Sequence, residues 1–379
     1  MKRSLVVILI FLTSFVHLGA ENPVLQEAIR RNQKLYDDAV RDLQRGDAHE
    51  KARAAIFLGG QSNSRYARVL GVELLRDLDV NSDKVYWSQN HPYVKSHIAW
   101  ALGRISHPFG LKYLLEALDK TAAIIEKEGD RYRQQHQAAV QALEEARNAR
   151  NQNSNSDNEP VREIVIEPIR PGPFLRSTEN GLPYNPDIYW SLSNDFKHDI
   201  APAEYDPVVA IRQRGYNYVN LMFFLFDSIG EIYYQDVHHT LVTTEDVNRI
   251  GAYLKHRFPF IRGAAALALG KIATPEALAL IEAAYEQEDA PANRARMSYA
   301  MLVNDKTQTK HFLNLLTMLR DDDDDVRYVV SVAFRDMGMS EAIDALKTAI
   351  ELEHVPVIRE NLRTGLDNAY RDLWRPTPQ

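Results

Sequence analysis

The chain has no cysteine among its 379 residues. This absence excludes disulfides, thiol catalysis, zinc sites built on cysteine and a lipid-modified N-terminal cysteine. A chain without disulfides depends on its apolar core for stability. The 45% hydrophobic content supplies enough material for a core at this length.

Sequence motifs for catalysis and nucleotide binding are also missing. The chain has no Gly-x-Ser-x-Gly, no P-loop, no Gly-x-Gly-x-x-Gly and no His-Glu-x-x-His. His238 and His239 are adjacent, so one helix face cannot present both, and His91 and His97 are also poorly spaced for a metal site. We therefore expect no catalytic residue, no metal site and no cofactor, and we predict that the chain is not an enzyme.

Positive charge is not in excess. The formal net charge is −7, and removal of Lys2 and Arg3 would take it to −9. A mildly acidic chain lacks the basic surface that binds nucleic acid or anionic membranes. We expect no nucleic-acid partner.

Long apolar runs are absent beyond the N-terminus. Lys2 and Arg3 precede an apolar run from Leu5 to Val16, and Leu18-Gly19-Ala20 offers small residues for cleavage. These features are typical of a secretory signal peptide at 1–20, since the run is short for a membrane span. An uncleaved membrane anchor is the rival interpretation. With cleavage, we expect no transmembrane segment and a periplasmic location.

A short pattern recurs along most of the chain. Its clearest copy runs from Phe260 to Ile272 and is followed by Thr274-Pro275-Glu276 and a second apolar-periodic run to Ala284. This order predicts a helix, a tight turn and a second helix. Such a unit cannot bury its apolar stripe alone, so copies must stack into a solenoid.

The copies align on a basic residue, with glycine or a substitute eight positions later. The aligned pairs are Lys51 to Gly59, Lys95 to Gly103, Arg262 to Gly270, Arg296 to Asn304, Arg327 to Arg335 and Arg359 to Asp367. Asp227 to Ile232 is a divergent seventh copy, at the end of an apolar helix over Tyr216–Tyr234.

Each part of the pattern has a physical interpretation. Alanines let neighbouring helices approach closely, and we expect the glycine to permit a left-handed turn at the helix end. Thr274 and Ser340 are predicted N-caps of second helices. The second helices are predicted at 276–286, about 308–319 and 341–352.

Phe260–Ile272 and Val94–Ile105, each with its following helix, resemble the HEAT-repeat family, in particular its short-repeat, phycobilisome-lyase-type branch. The resemblance covers roughly 47–118 and 255–370. It implies an all-α, right-handed, armadillo-like α-solenoid of about seven HEAT-like helix pairs with one long irregular insertion. It also implies that second helices line a concave surface, and it imports no activity.

The chain divides into four segments in this interpretation. They are the signal peptide at 1–20, a capping helix from Pro23 to Arg45 with repeats at 21–150, an insertion at 151–207, and C-terminal repeats at 208–379. The insertion begins with the polar stretch Asn151–Glu159, and eight of the chain's seventeen prolines lie from Pro160 to Pro207. Long loops of this kind are often functional.

Aromatic residues concentrate around the insertion, since sixteen of the 35 lie between Phe174 and Phe260. One interpretation is a partner-binding surface, because exposed aromatics supply large contact areas at low entropy cost. The alternative is that they attach the insertion to the solenoid. The candidate partner-binding residues are Tyr184, Tyr189, Trp190, Phe196 and Tyr205.

Two charged features favour structural roles. The run Asp321–Asp325 lacks the spacing and glycine of a calcium loop, so we expect a solvated turn whose last aspartates stabilise a helix N-terminus. The recurring basic residues could form a ladder for a carboxylate-rich ligand. Structural bonds to neighbouring turns are the favoured alternative.

The sequence therefore predicts an exported, non-catalytic scaffold or adaptor that binds a protein partner. The alternatives are a module that binds cell-wall polymer through the aromatic-rich insertion and, less favoured, an enzyme.

Overall fold

The structure is a computed structural model that describes residues 23–61, 63–79, 92–127 and 207–373. Within these ranges the chain is all-helical and has no strand. The predicted insertion at 151–207 lies outside the described residues except for Pro207, so its form stays a prediction.

The described chain contains fourteen α-helices in sequence order. They are α1 (Pro23–Arg45), α2 (Ala48–Gly60), α3 (Ala67–Leu75), α4 (Pro92–Ile105), α5 (108–127), α6 (Pro207–Gln235), α7 (Thr244–Gly251), α8 (Pro259–Ile272), α9 (Pro275–Tyr285), α10 (Pro291–Leu302), α11 (Thr309–Met318), α12 (Asp324–Met337), α13 (Ile343–Leu352) and α14 (Pro356–Leu373). Short 3₁₀ helices lie at Ser64–Tyr66, Ala252–Lys255 and Ser340–Ala342.

The helices pack as a solenoid. The first helices of successive units, α2, α4, α6, α8, α10, α12 and α14, each pack against the next one along the chain. Helix α1 packs against α2 at the N-terminal end of the stack, as predicted for a capping helix. The all-α solenoid is thus confirmed, whereas its handedness and the count of about seven pairs stay predictions.

The core follows this stack continuously. One cluster of buried apolar side chains extends from Ala39 to Met301, and a second extends from Ala295 to Ala369. Helix α10 contributes to both clusters. Each unit therefore stabilises its neighbours by burying the apolar stripe that it could not bury alone.

The recurring glycine of the repeat permits close helix packing, so the expected left-handed turn at this position is wrong. Four glycines occupy the glycine position of the repeat, which we call the register position. These register glycines lie inside first helices, and each packs against a small residue of the next first helix. A methyl group on Gly270 would lie 2.8 Å from the Cα of Ala300. The four pairs are Gly59 with Ala101, Gly103 with Ser228, Gly230 with Ala268 and Gly270 with Ala300.

The left-handed residue lies three positions further along in three units. These residues are Ser106, Ala273 and Gly338, with φ angles of 50°, 56° and 55°. At Ala273 and Gly338 the backbone N–H bonds back to the helix, to Leu269 and Phe334, and so ends α8 and α12.

Helix starts agree only partly with the predicted caps. The side chain of Thr274 accepts a hydrogen bond from the Ala277 N–H and caps α9, as predicted. Ser340 makes no such bond. It begins a 3₁₀ turn, and α13 starts at Ile343.

Candidate interaction surface

The recurring basic residues connect neighbouring units. Arg262 donates two hydrogen bonds to Glu288, at 2.7 and 2.6 Å, and a third at 2.9 Å to the His256 carbonyl in the preceding turn. Arg327 bonds Glu353 at 2.9 Å and the Asp321 carbonyl at 2.8 Å in the same way. The structural interpretation of these two arginines is therefore confirmed.

The two glutamates precede the next first helix at the same distance. Glu288 lies three residues before Pro291, and Glu353 lies three residues before Pro356. Burial raises the pKa of each carboxyl, but the arginine and the bonded backbone N–H groups outweigh it and lower the pKa. Both carboxylates are therefore charged, buried and paired.

Lysine occupies this position in the N-terminal units. Lys51 lies 3.4 Å from Glu73, and both side chains are buried. Lys95 donates to the carbonyls of Glu73, Leu74 and Arg76 at 3.3, 2.8 and 2.6 Å. These carbonyls lie at the end of α3, where helix geometry leaves carbonyl groups without partners.

The acidic run is a turn and a helix start, as predicted. The Asp323 side chain accepts a 2.8 Å hydrogen bond from the Asp325 N–H and caps α12. Asp324 and Asp325 lie in the first helical turn, where negative charge is favourable. The run therefore has a structural role.

The predicted alignment of the repeat pattern on α10, from Arg296 to Asn304, is wrong by two residues. Each register glycine contacts the residue two positions before the next register position, as Gly230 contacts Ala268. Gly270 contacts Ala300, which places Leu302 at the register position and Arg294 at the basic position. Arg296 therefore does not belong to the series that connects the turns.

Arg296 instead lies on a surface that four successive first helices form, which we call the first-helix face. It consists of Phe223 and Asp227 on α6, Phe260 and Lys271 on α8, Arg296 and Tyr299 on α10, and Asp336 on α12.

Aromatic and guanidinium groups stack along one edge of the first-helix face. The Phe223 and Phe260 rings have centroids 5.4 Å apart, and the Arg296 guanidinium lies 5.1 Å from the Phe260 centroid. Phe223 and Arg296 are half-buried, so they are in contact with both the core and solvent. Aromatic residues and arginine are the types that contribute most to protein interfaces.

Charged and phenolic groups form the other edge. Lys271 lies 2.7 Å from Asp227, and the Tyr299 hydroxyl donates to Asp336 at 3.1 Å. Burial opposes the charge on Lys271, but Asp227 and Glu231 outweigh it and raise the Lys271 pKa. Burial, together with Asp336 and Asp227, raises the pKa of Tyr299. Perturbed titratable groups of this kind concentrate at functional sites.

A serine, a histidine and a glutamate meet between α9, α10 and α11. His311 Nε2 lies 2.8 Å from Glu282 and its Nδ1 lies 3.3 Å from Ser298 Oγ. Ser298 is completely buried and His311 is 1% exposed, so solvent reaches only the glutamate end. A nucleophilic serine needs access to substrate, and this arrangement gives none.

No described group of three or more histidine, aspartate or glutamate side chains is placed to hold a metal ion. A cavity of about 450 Å³ lies between α5 and α7, lined by residues that include Leu111, Leu115 and Arg249. Arg249 is bonded to Asp119 and to the Leu115 carbonyl. Lys112 and Glu116 also line the cavity, and Glu116 pairs with Lys120 at 3.1 Å.

The predicted partner-binding residues Tyr184, Tyr189, Trp190, Phe196 and Tyr205 lie outside the described residues. Sequence reasoning did not identify the first-helix face, because its members come from four helices. Phe223 lies in the middle of α6 and Phe260 at the start of α8, so nothing in their sequence positions indicated that their rings meet.

Residues 261–287 match the family model described as PBS lyase HEAT-like repeat. This segment covers most of α8 and all of α9, and it confirms the resemblance to HEAT repeats. No curated protein matches the sequence.

Two solved structures are similar at 14% identity. Human deoxyhypusine hydroxylase in complex with glycerol covers 92% of this chain and 100% of its own, with a TM-score of 0.31. An engineered protein covers 88% of each chain, with a TM-score of 0.25. Scores this low carry no argument about this chain.

Proposed function

Because this chain is a helical solenoid with a HEAT-like repeat at 261–287, we propose that it is an exported, non-catalytic scaffold or adaptor. It binds a protein partner through the first-helix face. A rigid stack of helices presents a long surface of fixed shape, which suits a protein ligand better than a small molecule.

The composition of the first-helix face carries this proposal. Phe223, Phe260, Arg296 and Tyr299 lie on three adjacent helices and are only partly covered, apart from the more deeply buried Phe260. Aromatic and arginine side chains anchor interfaces because they bury large areas while losing little conformational freedom. Lys271 and Asp336 supply a charged border.

The buried position of Ser298 and His311 supports a non-catalytic role. In the group formed by Ser298, His311 and Glu282, the serine is buried, so a substrate cannot reach its hydroxyl.

Export is supported by the N-terminal sequence. Lys2 and Arg3, the apolar run from Leu5 to Val16 and the small residues Gly19 and Ala20 have the order of a signal peptide. No helix among the described residues is long and apolar enough to cross a membrane. The expected site of action is the periplasm.

Affinity purification from the envelope fraction tests the proposal. The full chain with a C-terminal tag should lack residues 1–20 and should recover one protein in stoichiometric amount. Tyr299→Ala should lower this recovery by about tenfold, since buried interface tyrosines often contribute that much. Asp336 keeps Arg335 as a partner at 2.8 Å, so this variant orphans no carboxylate.

Leu313→Ala is the matched control. Leu313 is 53% exposed on the second helix α11, away from the first-helix face. Its truncation should leave recovery unchanged. Failure to recover any partner with folded, exported bait would overturn the proposal. Binding to isolated wall polymer would instead favour the alternative function that depends on the insertion.

A further inference from the structure

Arg296 has an incomplete set of partners. Its guanidinium stacks on the Phe260 ring and makes one hydrogen bond, a 3.3 Å contact from Nη1 to Asn293 Oδ1. It has no ion pair with any described residue. A guanidinium carries five N–H donors, and the described residues accept a hydrogen bond from one of them.

Three other partly buried arginines of the stack pair with carboxylates. Arg262 pairs with Glu288, Arg327 with Glu353, and Arg335 with Asp336. Pairing with a carboxylate is the usual way in which a partly desolvated guanidinium is stabilised. Arg296 has lost water as well, since burial lowers its pKa to about 10 against the weaker attraction of Asp325 and Glu288.

The position of Arg296 is built into the packing of α8 and α10. A methyl group on Gly263 would lie 2.5 Å from Arg296 Cδ and 2.5 Å from Asn293 Oδ1. Glycine at this point in α8 therefore makes room for the arginine stem. Asn293 is itself fixed, because its amide donates to Glu288 at 3.0 Å and to the Pro259 carbonyl.

These contacts restrict the position of the guanidinium. Its Cζ lies over the Phe260 ring, and Asn293 accepts a hydrogen bond from one of its donors. A planar, fixed fork with free donors matches a carboxylate in the two-bond arrangement that arginine forms with Asp and Glu. A doubly charged phosphate would be repelled more strongly than a carboxylate by the nearby Glu288 and Asp325.

We propose that Arg296 binds an aspartate or glutamate side chain from an acidic segment of the protein partner, with Phe260 and Asn293 holding the guanidinium in the bonding plane. This inference rests on the proposed function and names the chemistry of the partner at that face. The unpaired charge is a cost to the free protein that the bound carboxylate offsets.

Side-chain NMR of the exported full chain tests the inference directly. The Nε–Hε signal of Arg296, assigned by its loss in Arg296→Lys, is followed during titration with a blocked Gly-Glu-Gly-Glu-Gly peptide. The signal should shift to saturation, and the Gln version of the peptide should bind at least about tenfold more weakly. Arg294 is the internal control, since it stacks on Tyr285 at 4.6 Å but lies outside the first-helix face.

Several outcomes would overturn the inference. They are no saturable shift at Arg296, an equal response to the Gln peptide, tighter binding of inorganic phosphate, or an equal shift at Arg294. A shift that depends on protein concentration without peptide would also overturn it, because the occupant would then be a second copy of this chain.

Arg296→Gln adds an arm that separates this inference from the proposed function. The variant should unfold at the same or a higher temperature than the wild type, and it should recover the envelope partner at least about tenfold less well. If Arg296→Gln recovered the partner at the wild-type level, the proposed bond between Arg296 and a partner carboxylate would be wrong. The proposed scaffold function would not be affected. Failure of the wild type itself to recover a partner would count against the function, and the peptide titration would still decide the inference.

Discussion

Gly270 on α8 packs directly against Ala300 on α10, and a methyl group at Gly270 would lie 2.4 Å from the Ala300 carbonyl oxygen. The same kind of contact joins Gly59 to Ala101 and Gly230 to Ala268. Close approach of the first helices therefore fixes the spacing of the solenoid, and with it the placement of every group on the first-helix face.

Gly270→Ala should destabilise the protein by about 1–3 kcal/mol, because the added methyl group overpacks a backbone contact. In an unconstrained helix the same change would stabilise the helix by about 1 kcal/mol. A loss of stability therefore indicates the packing contact. Urea unfolding followed by circular dichroism measures it.

Gly60→Ala is the control for this change. Gly60 ends α2, and an added methyl group there would meet nothing within 4 Å. The variant should be as stable as the wild type or slightly more stable. Equal effects at Gly60 and Gly270 would contradict the packing role of the register glycine.

Arg262→Met should cost about 3–5 kcal/mol, because it leaves the Glu288 carboxylate buried without its partner. The double variant with Glu288→Met should recover most of that loss. Arg363→Met provides a surface comparison, since Arg363 and Glu360 are 3.9 Å apart and both exposed. Its cost should stay below about 1 kcal/mol. Similar costs for the two arginines would contradict the structural role of the Arg262 series.

The same pairs predict how stability depends on acid. The folded-state pKa of Glu288 and of Glu353 is lower than the ordinary value of 4.5. Their contribution is therefore present above about pH 4.5 and is lost as the pH falls through the lower folded value. Thermal unfolding between pH 6 and pH 3 should show this loss.

In Arg262→Met the chief cause of the lowered Glu288 pKa is removed, and burial acts in the opposite direction. The variant's acid loss should begin at a higher pH than in the wild type. If the stabilities of the wild type and Arg262→Met differed by the same amount at every pH, this coupling would be ruled out.

Lys95 predicts a second rise of stability with pH, in the alkaline range. Burial lowers its pKa to about 7 from 10.5, against the attraction of Asp77 and Glu73. Between these values the unfolded chain binds more protons than the folded chain, so stability contributed at this site rises with pH from about 7 to 10.5. Thermal unfolding of the wild type relative to Lys95→Met should show that rise. A flat difference between pH 7 and 10 would refute it.

The sequence was sufficient for the fold because the repeat pattern is local. Apolar spacing placed α1 at Pro23–Arg45, and it placed α9 within one residue of its observed bounds. The predicted role of the register glycine failed, since the same residue can end a helix or admit a neighbour, and only the contact with Ala300 distinguishes these.

The first-helix face could not be predicted from the sequence, for a similar reason. Arg294 and Arg296 both precede suitable residues by eight positions, so the spacing alone does not decide which one occupies the basic position of the repeat. The Gly270–Ala300 contact assigns that position to Arg294 and leaves Arg296 on the first-helix face, against Phe260. The export signal and the aromatic-rich insertion rest on residues that the structure does not describe and stay predictions.

Site-specific photo-crosslinking in the envelope tests directly whether the first-helix face binds the partner. A photoreactive phenylalanine analogue replaces Tyr299 on the first-helix face in one variant and Leu313 on α11 in the other. We expect one discrete protein adduct from position 299, which Arg296→Gln weakens, and none from position 313. An adduct from position 313 alone, or the same adducts from both positions, would contradict the claim that the first-helix face binds the partner.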